Sequence, residues 1–325
     1  MESRIEPIVC HYGAAGRVMA YYVDAPCPTL IDTGGAAHPE GPIRAALQAR
    51  GTDLAALGAI INTHGHWDHA GGNAATVAAS GAGVLIHEFG APLLFDHRAH
   101  LDGYYTEAQR ALEQPALVAA QRATFPTIFG AEMVPGRLLR DGDRMDLGAG
   151  VTLQAIHVPG HSEDAIALWW EQEGILFAGD AAQGTGSRPG AGPLYFASIA
   201  QARASIARLR ALPFRTLYTS HFFGRTSTME RAARYDTAEG RAFLDESSRR
   251  ARSGGRGVAS GAAGGSGRAD LLAPRTRRDR ASDRQHRLGS RRRSAHRCPG
   301  QSCPDPLPAV AGDRALSGRT ANDAE

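Results

Sequence analysis

Between Thr63 and Gly72 the chain reads Thr-His-Gly-His-Trp-Asp-His-Ala-Gly-Gly. Three imidazoles and a carboxylate, His64, His66, Asp68 and His69, fall within six positions. Packed together without a cation, such groups would compete for protons and leave buried polar atoms poorly satisfied. Neutral imidazole and carboxylate are good ligands for first-row divalent metals, so the cluster points to metal binding. Three more residues of ligand type follow, each just beyond an apolar run: His161 in Val158-Pro159-Gly160-His161-Ser162, Asp180 in Phe177-Ala178-Gly179-Asp180, and His221 in Tyr218-Thr219-Ser220-His221. Taken singly, each would be unremarkable; Asp180 alone would read as a turn carboxylate. Ligands offered from the ends of several strands are what a rigid metal site requires.

The elements that must position these groups are short apolar runs bounded by Gly, Asp or Pro, the expected form of buried strands. They lie at Arg17–Val23, Thr29–Asp32, Ala59–Asn62, Gly83–His87, Val151–His157, Ala165–Trp170, Ile175–Ala178 and Thr216–Thr219. Between them the pattern predicts helices over Pro42–Arg50, Gly72–Ser80, Glu107–Thr124 and Ala200–Leu212. In the last, Ile199, Ala202, Ile206 and Leu209 keep near-helical spacing, with Arg203, Arg208 and Arg210 off that face. Residues 87–135 break the strand rhythm with aromatics and a helical pattern. They read as a helical insertion, which would serve either as a lid on the substrate or as plain hydrophobic core.

The His-x-His-x-Asp-His run and the order of the later ligands resemble the metallo-β-lactamase superfamily from about residue 8 to 245. The resemblance implies an α/β fold, an αββα sandwich of two mixed β-sheets flanked by helices. It assigns one metal to His64, His66 and His161, a second to Asp68, His69 and His221, and a bridging role to Asp180. Asp32, in Leu30-Ile31-Asp32-Thr33-Gly34, matches a position that supports the metal-binding loop. The implied cofactor is two Zn(2+) per chain, with Mn, Co or Fe as alternatives. The implied chemistry is hydrolysis of a small ester, lactone or thioester by a metal-bridging hydroxide. Asp68 and Asp180 are the expected catalytic residues, both orienting the hydroxide and Asp68 also handling the proton. True β-lactamases lack the bridging aspartate, so glyoxalase II thioesterases and lactonases are the nearer relatives. Two departures matter. Ala181-Ala182-Gln183 stand where the lactonases often carry a tyrosine, and the C-terminal helical region through which glyoxalase II binds glutathione is missing or replaced. The competing reading within the superfamily is a sulfur (persulfide) dioxygenase with a single iron held by two histidines and the aspartate; His221 favours two metals. A nuclease is the third reading.

Charge bears on that choice. The net charge of +3 is the sum of two unlike segments, and all 36 basic residues are arginine. Up to Ser247, 19 Arg face 26 acidic residues, a net of −7; from Ser248 onward 17 Arg face 7, a net of +10. The acidic part argues against a polyanionic substrate and for a small molecule. Residues 1–247 therefore read as the metal-hydrolase domain and 248–325 as a disordered Arg/Gly/Ser-rich tail. Its abrupt, lysine-free onset is also what a shifted reading frame in a GC-rich gene would give. No apolar run is long enough for a membrane helix, and no secretory signal opens the chain. The four cysteines, Cys10, Cys27, Cys298 and Cys303, read as free thiols, which fits a cytoplasmic setting.

Overall fold

The alternation of side chains along the strands dictates a layered molecule. In β2 (Gly16–Val23), Met19, Tyr21 and Val23 point to one apolar layer while Val18, Ala20 and Tyr22 point to another. In β9 (Ile166–Trp170), Ile166, Leu168 and Trp170 share the first of these layers, and Ala167 and Trp169 face a third. A strand buried on both faces needs cover on both faces. Two such sheets packed together, each with helices outside, meet that need with four layers.

The computed structural model describes residues 4–12, 16–105, 123–183, 194–221 and 233–252, and has this architecture. One six-stranded sheet runs in sequence order from β1 (Ile5–Tyr12) through β2, β3 (Thr29–Ile31), β4 (Ala59–Ile61) and β5 (Gly83–His87) to β6 (Arg137–Leu139). The other six-stranded sheet runs from β7 (Arg144–Asp146) through β8 (Thr152–His157), β9, β10 (Ile175–Phe177) and β11 (Thr216–Tyr218) to β12 (Arg234–Asp236). Both sheets are mixed. Strands β3 to β6 pair in parallel and β1 to β3 antiparallel; in the second sheet only β10 and β11 are parallel.

Outside the first sheet lie α1 (Arg44–Ala49), α2 (Trp67–Ala70) and α3 (Asn73–Ser80), with the shorter α4 (Ala91–Phe95) and α5 (His97–Ala99) following β5. The helix expected over Pro42–Arg50 is split: a π-helical turn at Pro39–Ile43, kinked at Gly41, leads into α1. Outside the second sheet lie α6 (Ile199–Ala211) and α7 (Thr237–Arg252). The face read from the sequence of α6 is the one buried, through Ala202, Ile206 and Leu209. Arg208 and Arg210 lie off it, paired with Asp141 and Asp245.

The domain boundary expected after Ser247 falls inside α7, and the rest of the expected tail, 253–325 with Cys298 and Cys303, lies outside the described residues. So do residues 107–122 of the helix expected over Glu107–Thr124. Of the 87–135 insertion the structure describes α4, α5, a π-helical turn at His100–Tyr105 and a helical stretch at 123–128. Among the described residues no helix is long and apolar enough to cross a membrane.

Between the sheets Phe177, 1% exposed, packs its ring against Tyr21 and Tyr218 at centroid distances of 5.2 and 5.1 Å. Truncating it leaves a cavity that rigid sheets fill poorly. Phe177→Ala is expected to lower unfolding free energy by about 3–5 kcal/mol in chemical denaturation. Val134→Ala, at a side chain 77% exposed, should change it by less than about 0.5 kcal/mol.

Candidate metal centre

Four strand ends converge at one edge of the sandwich. His64 follows β4 after Asn62 and Thr63, and His66 opens α2, on which Asp68 and His69 lie. From the second sheet come His161 after β8, Asp180 after β10 and His221 after β11. His161 depends on the residue before it. Gly160 has φ of +144°, and a Cβ there would stand 2.5 Å from the backbone of Ala202 in α6, so only glycine lets the loop pass under the helix.

The structure brings all seven expected ligands together. His64 Nε2 and His161 Nε2 each lie 3.0 Å from His66 Nδ1. On the other side, His69 Nε2 lies 3.3 Å from His221 Nε2, and His221 Nε2 lies 3.4 Å from Asp68 Oδ2. Asp180 sits between the two groups, its Oδ2 3.3 Å from His161 Nε2 and 3.4 Å from His221 Nε2. In each of three sets, His64/His66/His161, His64/His69/Asp180 and Asp68/His69/His221, the donor atoms fall within 4.8 Å of one another.

The donor set fits metal ions. Ligand nitrogens around one tetrahedral zinc, at 2.0–2.1 Å from it, stand about 3.3 Å apart, and the spacings above are of that size. Asp180 Oδ1 is buried without a hydrogen-bond partner. Several imidazoles also commit their far nitrogen elsewhere: His69 Nδ1 donates to Asp32 Oδ2 (2.9 Å), His221 Nδ1 to the Arg17 carbonyl (2.7 Å) and His161 Nδ1 to the Leu194 carbonyl (2.6 Å). With the outer N–H used, each Nε2 faces inward and is the atom left to bind a cation once it carries no proton, which is how metal-binding histidines are held.

Three supporting residues keep this geometry. Asp32, in a left-handed conformation with φ of 59°, accepts from the Thr63 amide and hydroxyl, both at 2.8 Å, besides His69. Asp164, reaching over from the second sheet, accepts from the Gly65 amide at 2.7 Å and so holds the turn between His64 and His66. Gln183 donates to Asp180 Oδ2 at 2.7 Å and accepts from the Leu194 amide. Asp32 was legible from its motif. Asp164 and Gln183 carry no sequence signal, since only the folded chain brings them to their partners.

The two halves differ electrostatically. Burial, reinforced by neighbouring imidazoles, pushes His64 and His66 well below the ordinary histidine range, and burial lowers His161 too. Around His69, burial is outweighed by Asp180, Asp68 and Asp32, which raise it to about 10; His221 is raised likewise, chiefly by Asp180. Burial would raise Asp68, but His69 and His221 hold it below the usual carboxylate range. Cys10, a free buried thiol, is pushed up to about 12 by burial and Asp32. Close to His66, at a ring-centroid distance of 6.1 Å, the His100 imidazole is fully buried against Phe125 and Phe129 and pushed down to about 4 by that burial. Tyr195 is buried beside Asp180, and its phenol is raised by burial and by that carboxylate.

Fold and site together define an αββα sandwich with a buried His/Asp donor cluster at one edge. The family model described as the metallo-beta-lactamase superfamily matches residues 15–221, and the chain belongs to that superfamily. It is 34% identical over 176 residues to the hydroxyacylglutathione hydrolase of Methylococcus capsulatus, covering 54% of this chain and 51% of that protein. It is 32% identical over 211 residues to the hydroxyacylglutathione hydrolase of Cupriavidus taiwanensis, covering 63% and 62%. The chain thus spans about half the length of the first of these relatives. A metallo-beta-lactamase family protein of Thermus thermophilus superposes with a TM-score of 0.61 at 22% identity, over 77% of this chain and 80% of that one. MEM-A1, a subclass B3 metallo-beta-lactamase from a soil metagenome library, gives 0.53 at 21%, over 77% and 92%. At these identities the two structures speak for the fold alone.

The electrostatic difference has a measurable consequence. His69 carries a proton below about pH 10, so a divalent ion entering beside it must displace that proton. Affinity at the Asp68/His69/His221 side is therefore expected to rise by about one log unit per pH unit between pH 7 and 9. The His64/His66/His161 side, already neutral, should show almost no slope above pH 6.5. Chelator competition on metal-free protein, monitored across pH, resolves the two; equal slopes would contradict the arrangement.

Proposed function

We propose that the protein is a dinuclear metallohydrolase that cleaves a hydroxyacyl thioester. The observation that carries this reading is the position of Asp180 between two trios of donors, His64/His66/His161 and Asp68/His69/His221. An aspartate reaching both trios suits two metals sharing one carboxylate. In this reading all seven residues are ligands. The relatives named hydroxyacylglutathione hydrolase support a thioester over an ester or lactone.

Bound in this site, the metal pair would supply Lewis acidity and a water ionised near neutral pH. The chain's own residues do the rest. Hydrolysis of a thioester joins a water oxygen to the acyl carbon, breaks the C–S bond and delivers one proton to sulfur. Asp68, with its side chain 13% exposed, would carry the water proton to the departing thiolate. Asp180, fixed by Gln183, orients the attacking oxygen. Phe196, whose ring stands 5.8 Å from that of His66 and 5.1 Å from that of His161, helps exclude bulk water, which strengthens every charge interaction inside.

Elemental analysis of protein purified without added metal or chelator is expected to give about two zinc, manganese or cobalt ions per chain. The loaded protein should hydrolyse 2-hydroxyacyl thioesters, and a set of thiols including glutathione tests the leaving group. One iron per chain with oxygen consumption on persulfides would overturn the reading. Asp180→Asn is expected to lower kcat by about 10²–10⁴-fold and to lose at least one metal, because it removes the shared charge.

A further inference from the structure

Away from the donor cluster, two more histidines meet across the gap between the sheets. His87 ends β5 in the first sheet and His157 ends β8 in the second. Their rings stack, 10° from parallel with centroids 4.2 Å apart. Phe89 lies across the edge of the stack, 5.0 Å from the His87 ring and 6.0 Å from that of His157. His157 is tied further. Its Nε2 donates to the Glu163 carbonyl at 2.7 Å, its amide donates to Asp141 Oδ1, and its carbonyl accepts from Arg208. Asp164, next along the chain, accepts from the Gly65 amide between His64 and His66. From the first sheet, Gly90 passes so close that any side chain there would strike Asp164 Oδ2. The stack thus fastens the turn after β5 to the loop that carries His161.

The arrangement suits only a neutral His87. Its Nδ1 accepts from the Phe89 amide at 3.4 Å, so a proton on that nitrogen would set a donor against a donor. The side chain is buried, and the carboxylates near it are already engaged. Glu88 pairs with Arg140, and Asp141 pairs with Arg208 and accepts from the His157 amide. The remaining charged or titratable groups around the stack are His157 itself, Glu163 and Asp164. We propose that the His87–His157 stack is an acid-released latch, which holds the loop from Val158 to Asp164 against the first sheet until His87 takes a proton. Burial first, and then His157, push His87 down from 6.5 to about 4. An opened turn would free the ring to take its proton near pH 6.5, whereas the closed one takes it only near pH 4. Closure is therefore at full strength above pH 6.5 and is lost as pH falls towards 4. The latch involves neither a donor residue nor a substrate, so it holds whichever reaction the centre performs.

The test compares amide hydrogen exchange in the full-length chain, as purified, with that of His87→Phe, which keeps a ring on His157 but cannot take a proton. Mass spectrometry follows segments 83–90 and 157–166, and the ratio of wild-type to variant rates at one pH cancels the intrinsic pH dependence of exchange. Equal rates are expected at pH 8. At pH 5 the wild type should exchange about ten- to thirtyfold faster in both segments, the factor that follows from a midpoint moved from 6.5 to about 4. Equal rates at pH 5, or the same gap at both pH values, would overturn the latch. His157→Phe keeps a stacked ring but drops the Glu163 bond, so it should speed exchange in 157–166 at both pH values; unaltered exchange there would overturn the tie to the loop. Should His87→Phe fail to fold, ring ¹H–¹⁵N spectra of the wild type decide. His87 is expected to stay neutral down to about pH 5, and a midpoint near the ordinary histidine value of about 6.5 would overturn the proposal.

Discussion

His69 can turn its Nε2 towards the other donors only if something accepts its Nδ1–H, and that acceptor is Asp32. The same carboxylate takes the amide and hydroxyl of Thr63, the residue before His64. One buried charge thus sets both ends of the His64–His69 turn. Its position is inherited from the sheet. Strands β3 and β4 are parallel, with Ile31 opposite Ile61, so Asp32 and the start of the turn emerge side by side. A slip of one residue in that register would send Asp32 to the other face. The cost is a left-handed backbone at Asp32, which aspartate tolerates better than most residues.

The rest of the centre is held by reciprocal ties between the sheets. The first sheet holds a ligand of the second where the Arg17 carbonyl in β2 accepts from His221. The second holds the turn of the first where Asp164 accepts from Gly65 and where the Ile166 amide reaches the Thr63 carbonyl. The core between the sheets, with Tyr21, Phe177 and Tyr218 stacked around one another, fixes the distance across which these ties act. Closing the sandwich and completing the centre are therefore one event, and any ion that binds the closed form adds its binding energy to the fold.

The candidate ligands were legible in the sequence because their chemistry is local: three histidines and an aspartate in six residues have few other uses, and the later candidates stand just past strands whose apolar runs are plain. The central strands were legible for the same reason. What escaped is what depends on distant parts of the chain. The strands β6, β7 and β12 mix Arg137, Arg144, Asp146, Arg234 and Asp236 into runs with little apolar length, and β1 mixes Glu6, Pro7 and His11 into its run. Helix α7 carries Ser247 and Ala251 to its buried face, so an arginine-rich stretch that looks like the start of a tail still continues a helix. His100 shares its segment with His97, both rings lie against Phe125 and Phe129, and nothing in their spacing says which is buried.

These origins divide the labour within the molecule. The candidate ligands stand at strand ends or, for His66, Asp68 and His69, on the short helix α2 that follows β4, so the donor geometry is anchored to the sandwich itself. The groups that surround the ligands come from elsewhere: Tyr12 at the end of β1 lies against Trp67 and the His221 ring, Phe196 precedes α6, and His100, Phe125 and Phe129 belong to the insertion after β5. Apolar walls placed around fixed charges raise the strength of each electrostatic contact without shifting a ligand. Among the described residues the insertion meets the first donor trio where His100 lies against the His66 ring. The donor geometry therefore belongs to the two sheets, and the insertion adds apolar cover beside it.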